Sequence, residues 1–145
     1  MRAVVQRARD AAVTVDGDVV GSFAGPGLVV LVGITHDDTP ARAARLADKV
    51  YDLRIFEGPT EQSACDLDLP VLVVSQFTLY ADTRKGRRPT WELAAPRPVA
   101  EPLVTAVAQR LVDRGATVPT GVFGADMRVT LTNEGPMTVI IDVTD

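Results

Sequence analysis

Ser75, Gln76, Phe77 and Thr78 directly follow four aliphatic residues, Val71 to Val74, and precede a concentration of positive charge at Arg84, Lys85, Arg87 and Arg88. An unbroken β-branched and aliphatic run reads as a strand covered on both faces. Small polar groups at the end of such a strand, beside an anion-attracting loop, suit a site that acts on one end of a polyanion. Backbone N–H groups and the Gln76 amide can face a substrate carbonyl there, and Phe77 offers an apolar or stacking surface. Thr78 carries a hydroxyl, but a hydroxyl needs a base to become a nucleophile, and no histidine or lysine adjoins it in sequence. Thr78 therefore reads as a positioning or water-ordering group. Read for structure alone, the same polar groups would satisfy backbone hydrogen bonds where the sheet runs out, and the four cations would be a solvated loop.

His36 is the only histidine, in Thr35-His36-Asp37-Asp38-Thr39. A Ser-His-Asp relay would have to use it, with Ser75 or Thr78 as nucleophile, in a small esterase. One histidine beside two carboxylates falls short of the three or four convergent ligands a metal needs, and zinc, calcium and P-loop signatures are absent. The segment has the composition of a turn leading into a helix, where Asp and Thr cap the start and acidic groups favour the positive end of the dipole. The single cysteine, Cys65, has no internal partner and reads as a small apolar filler, in keeping with a reducing compartment.

At 145 residues, 46% hydrophobic and 23% charged, the chain is expected to form one domain spanning residues 1–145 with its own core. It shows no apolar run long enough for a membrane helix and no signal-peptide pattern, so it reads as soluble and cytoplasmic. The net charge of −4 and a pI near 4.9 argue against a general nucleic-acid coat protein, because an acidic body opposes long phosphate tracks. One basic patch on such a body fits contact with only the tip of a nucleic acid. A non-enzymatic nucleic-acid-binding module remains the alternative.

The elements that must position these residues follow from periodicity. Residues 3–7, 12–15, 18–23 and 28–35 read as four strands, with a hairpin turn at Asp16-Gly17 and a break at Gly25-Pro26-Gly27. Thr39 and Pro40 start a helix whose apolar face is Ala43, Leu46, Val50 and Leu53. Residues 57–64 are a loop by composition, and Ala94-Ala95-Pro96-Arg97-Pro98 is a break. A second helix is predicted from about Pro102 to Arg114, with Leu103, Val107 and Leu111 inward and Gly115 beyond its end. Two closing strands, 127–132 and 137–142, are expected, with Gly135-Pro136 in the turn between them. The order is that of a mixed α/β domain with substantial antiparallel pairing.

Ser75-Gln76-Phe77-Thr78-Leu79 resembles the SQ-x-x-L signature of the bacterial-type D-aminoacyl-tRNA deacylases, and Asn133-Glu134-Gly135-Pro136-Met137-Thr138 resembles that family's N-x-G-P-x-T motif. The likeness runs from Met1-Arg2-Ala3-Val4-Val5-Gln6-Arg7 to the final strand. It implies a strongly curved, mixed to antiparallel, barrel-like sheet with two main helices packed outside, and a homodimer. It implies hydrolysis of the ester joining a D-amino acid, or mischarged glycine, to the 3′-terminal ribose of tRNA, without metal or organic cofactor. Ser75, Gln76, Phe77 and Thr78 would form the catalytic site, and the terminal ribose 2′-hydroxyl would help activate water. Gly135-Pro136 would be cis, supported by Asn133 and Thr138, and would reach into the partner subunit's site to exclude L-aminoacyl esters. Arg84, Lys85, Arg87 and Arg88 would meet nearby tRNA phosphates. The likeness lapses at Pro59-Thr60-Glu61 and Asp68-Leu69, so no substrate contact is assigned within residues 57–70.

Overall fold

Asp16 and Gly17 both take positive φ, 51° and 83°, and make the tight reversal that their types predict. The strands that it joins are long: β1 (Arg2–Val15) and β2 (Asp18–Gly33) pair antiparallel from Arg2↔Gly33 out to Val15↔Asp18. The computed structural model describes all 145 residues and replaces the four expected strands by these two. The anticipated breaks are bends inside a continuous ladder. The register shifts between Arg9 and Ala11, where Asp10 has φ 55° and its carboxylate accepts a 2.7 Å hydrogen bond from the amide of Gly25. Gly25, at φ 73°, supplies the matching kink on β2. Punctuation residues here curve the sheet without cutting it.

Two edges complete the sheet. β5 (Val71–Ser75) lies parallel to β2, and the final strand lies antiparallel to β1, giving the order β5-β2-β1-β6. That final strand, β6 (Arg128–Asp142), is one element where two strands and a turn were expected. Gly135-Pro136 is cis and sits within it, opposite a register shift between Gln6 and Ala8. The sheet is mixed and strongly curved and does not close. β3 (Arg54–Phe56) and β4 (Gln62–Ser63) form a separate small pair, so residues 57–64 are not wholly loop. Ser63 then caps α2 (Ala64–Leu67), exchanging hydrogen bonds with Asp66.

Both faces of the inner strands are buried, as the aliphatic runs require. Val30, Val32, Val71 and Val73 join the main core with α1 (Pro40–Asp52) and α3 (Arg97–Asp113), while Val29, Leu72 and Val74 enter a smaller cluster on the opposite face. In α1, Thr39 accepts from the amide of Arg42, Pro40 occupies the first turn, and Ala43, Leu46 and Val50 are buried. α3 starts at Arg97 rather than near Pro102. Pro96 caps it, and Pro98 in the first turn lacks only an N–H that an opening turn leaves unpaired anyway, so the end of the stretch read as a break is helical; Pro102 lies inside the helix. No helix is long and apolar enough to cross a membrane.

Candidate active site

β5 is held from both sides: by β2, and by residues 117–121, which receive the amides of Val71 and Val73 at Thr117 and Pro119 and return the amide of Gly121 to Val73. The last sheet contact is the amide of Gln76 donating to Val32 at 2.8 Å. The chain then tightens into a 3-10 turn, Phe77–Tyr80. That turn lies so close to β2 that a Cβ on Gly33 would stand 3.0 Å from Leu79 Cβ and 3.1 Å from the Gln76 carbonyl oxygen. Arg2 braces the far end, donating to the Leu79 carbonyl at 3.3 Å and lying 5.5 Å from the Tyr80 ring centre while paired with Asp142. Burial pushes the Tyr80 phenol up to about 12.

Where the strand leaves the sheet, a mostly apolar cavity of about 310 Å³ opens. Ser75, Gln76 and Phe77 line one side, and Phe123, Gly124 and Met127 the other. The Gln76 amide nitrogen donates to the Thr78 hydroxyl, so that hydroxyl is oriented by an amide and not by a base. The amides of Phe77 and Thr78, which open the 3-10 turn, donate to no acceptor in the chain. His36 takes no part: its Nε2–H donates to the Glu92 carbonyl at 2.6 Å, and Thr35 donates to the Leu93 carbonyl, fastening residues 92–95 to the end of β2. Asp38 is buried under the Met1 ammonium, at 2.8 Å, with Arg42 and the Thr35 amide also on it. Asp38 is thus structural, in keeping with the turn reading, while Asp37 is exposed and pairs with Arg42 at 3.3 Å.

The basic segment is a small arm. Asp82 and Thr90 exchange two backbone hydrogen bonds, 2.9 and 3.0 Å, that close residues 82–90 into a loop. Arg84 folds back onto Asp82, with contacts of 2.9 and 2.7 Å, and holds that carboxyl down at about 2. Lys85, Arg87 and Arg88 are exposed and make no ion pair. Of the four expected phosphate ligands, three are free and one is already engaged. Trp91, next along, meets Phe77 edge to face with centroids 5.3 Å apart.

The second motif lies on the opposite edge strand. Across the bulge at 134–137 the β1–β6 ladder loses its pairing, and side chains replace it. Arg7, 8% exposed, donates to the carbonyls of Glu134 at 3.0 Å, Gly135 at 3.2 Å and Ile55 at 2.6 Å. The Asn133 amide bridges the carbonyls of Arg7 and Met137, both at 3.1 Å, and Gln6 donates to the Thr138 hydroxyl at 3.3 Å. Gly135 and Pro136 are exposed, and a Cβ on Gly135 would meet nothing nearer than 3.7 Å. This chain's own packing therefore does not demand glycine there. Neither residue lines the Ser75 cavity: within one chain the two motifs are not brought together.

Sequence reasoning missed Arg7 and the Phe123–Met127 wall. An arginine in the inward phase of Ala3 and Val5 on a central strand was the available signal for the first. The second has no regular structure to announce it, and is shaped by Gly124 at φ 77° with Arg97 over the Phe123 ring at 5.4 Å.

The fold is a deacylase-like α/β architecture. It superposes on a solved structure described as "Structural Analysis of a probable eukaryotic D-amino acid tRNA deacylase", with TM-score 0.85 and 18% identity over 98% of both chains. The chain belongs to the D-Tyr-tRNA(Tyr) deacylase family, whose model matches residues 4–142. It is 63% identical over 143 residues to a protein of Thermobifida fusca and 61% identical over 143 residues to one of Streptomyces coelicolor. Both relatives are named D-aminoacyl-tRNA deacylase, and the match covers 99% of this chain and 100% of each of them. A solved structure named "c-Myc DNA Unwinding Element Binding Protein" is 35% identical over the whole of both chains, with TM-score 0.91.

Proposed function

We propose that this protein is a carboxylic ester hydrolase that releases D-amino acids, and mischarged glycine, from the 3′ end of tRNA in the cytoplasm. The observation that carries the reading is an apolar cavity walled by Phe77, where the amides of Phe77 and Thr78 are unspent and the 3-10 turn leads directly into a cationic arm. An aminoacyl ester is already activated, so catalysis needs placement and stabilisation of the charge developing on its carbonyl oxygen. The two amides and the Gln76 side chain supply those donors. Thr78 orients water or substrate, and the ribose 2′-hydroxyl assists the attack. No base stands within the chain to activate Thr78, so no covalent intermediate is required.

The working unit is a homodimer in which Gly135-Pro136 of one copy enters the Ser75 cavity of the other. Support comes from the exposed position of the bend, from a glycine that its own chain does not need, and from carbonyls fixed by Arg7. Main-chain oxygens held rigidly can grip the substrate ammonium and leave no room for an L side chain. Because they are backbone groups, they are indifferent to which D-amino acid arrives.

The decisive experiment incubates purified protein with matched D- and L-aminoacyl-tRNA, with and without a chelator. D-esters should be hydrolysed and L-esters spared in both conditions; equal cleavage of the two, or loss on chelation, would refute the reading. Subunit crossing is checked by mixing a Gln76→Ala copy with a Gly135→Val, Pro136→Ala copy. Mixed dimers should regain one selective site, whereas sites complete within one chain would give none. The relative named for DNA binding, with the free cations of the arm, supports one rival: a binding module without turnover. Length-dependent binding of duplex DNA with no ester cleavage would favour it.

A further inference from the structure

Trp91 is the chain's single tryptophan and is 42% exposed, packed against Phe77 of the cavity wall and at the foot of the cationic arm. It touches Phe77, itself 56% exposed, at an interplanar angle of 69°, so the edge-to-face contact covers one face of one ring and leaves much of both side chains open to solvent. A tryptophan placed only to fill space would bury that face, since the indole carries one of the largest apolar surfaces of any side chain. Trp91 also follows Thr90, whose two hydrogen bonds to Asp82 close the arm. The indole thereby stands at the base of the loop that carries Lys85, Arg87 and Arg88, which no carboxylate neutralises. Open aromatic faces beside free cations are the combination that holds single-stranded nucleic acid, because bases stack on the rings while phosphates follow the charge.

We propose that Trp91 is a stacking platform for the base that precedes the terminal adenosine of the tRNA, with Lys85, Arg87 and Arg88 on the phosphates leading to it. The proposal rests on the deacylase reading, in which the terminal nucleoside with its amino acid occupies the cavity that Phe77 lines. The strand then leaves across the exposed indole beside Phe77. Arg84 is not part of the surface, since Asp82 holds it. Binding energy gathered here lies remote from the ester and is equal in ground and transition states, so it governs KM and not kcat.

The lone indole is its own reporter. Titrating the wild-type protein with the trinucleotide cytidylyl-cytidylyl-adenosine should quench its fluorescence saturably, the more weakly the higher the salt, while adenosine monophosphate should leave it unchanged. Trp91→Ala should raise KM for D-aminoacyl-tRNA by about fivefold to about a hundredfold, with kcat within about twofold. Trp91→Phe should recover most of the loss. Neither variant should alter hydrolysis of a D-aminoacyl ester of adenosine alone, which has no preceding base. Absence of quenching by the trinucleotide overturns the proposal, as does an equal loss by Trp91→Ala on both substrates, which would mark the residue as a structural prop. A wild-type protein that cleaves neither ester refutes the deacylase reading, and the fluorescence titration still decides for or against stacking.

Discussion

The end of β5 and the bend in β6 both expose polar backbone, yet they are built in opposite ways. At β5 the sheet does the positioning: ladders on both sides and cores on both faces carry the strand rigidly to Ser75, and the polar groups emerge in a hollow. At β6 the strand is an edge, the bend is exposed, and the ladder fails across Glu134 to Met137. A side chain from the neighbouring strand replaces it. Hollows can be fixed by many shared hydrogen bonds, whereas a protrusion from an edge needs a clamp, and here the clamp is largely one residue, Arg7. The two regions should differ accordingly in fragility.

The largest expected effect is at that clamp. Arg7→Ala strands the carbonyls of Ile55, Glu134 and Gly135 and should destabilise the protein by about 3 kcal/mol, lowering Tm by roughly 10 °C. Because the Gly135 carbonyl loses its fixed direction, discrimination between D- and L-esters should fall in the same variant. Arg7→Lys should restore little, as an ammonium cannot reach three acceptors with a planar fork. Calorimetry together with paired D and L rates checks both halves. An unchanged Tm and unchanged selectivity would show that the bend holds itself.

The hollow should tolerate loss of a single side chain better. Thr78→Ala removes one hydrogen bond from Gln76 and should lower kcat by about tenfold to a hundredfold, the equivalent of about 1.5–3 kcal/mol, with the fold intact. His36→Ala, which frees only the Glu92 carbonyl, should leave kcat within about twofold. A covalent acyl intermediate trapped on Thr78, or abolition of turnover by His36→Ala, would turn the hollow into a nucleophilic site and end the contrast.

The same contrast explains what could be read from the chain. Val71 to Val74 and the Thr39-Pro40 start of α1 announce themselves, because burial on two faces and helix capping leave local marks in residue type. The β1–β2 hairpin was half legible: its turn is local, but whether Gly25-Pro26-Gly27 ends a strand or bends it depends on Asp10, fifteen residues away, accepting from the Gly25 amide. Gly135-Pro136 read as a turn for the same reason, since side chains, chiefly those of Arg7 and Asn133, bridge β6 across it. Arg97-Pro98 read as a break because proline disfavours helix interiors but suits first turns, and the sequence does not say which is present. The cavity's far wall, Phe123 to Met127, is set by tertiary contact alone. The hollow was therefore legible on its strand side and blank on its loop side.

The smallest effect tests the arm, which joins the rigid region to solvent by a single exposed pairing. Hydrogen bonds from the Arg84 side chain and amide hold the Asp82 carboxyl down at about 2 against an ordinary 3.8. A depressed carboxylate contributes stability that is fully present above the unfolded value and is lost as pH falls from there through about 2. Across neutral pH the arm should therefore keep one shape, and the activity profile should show no inflection from it. In Arg84→Ala the Asp82 carboxyl, followed by carbon NMR, should return towards 3.8, while the backbone bridge to Thr90 and the free charges of Lys85, Arg87 and Arg88 persist. KM for the tRNA ester should then change little. A large rise in KM with Arg84→Ala would mean that this pairing, and not the covalent tie to the 3-10 turn and to Trp91, is what aims the cations at the hollow.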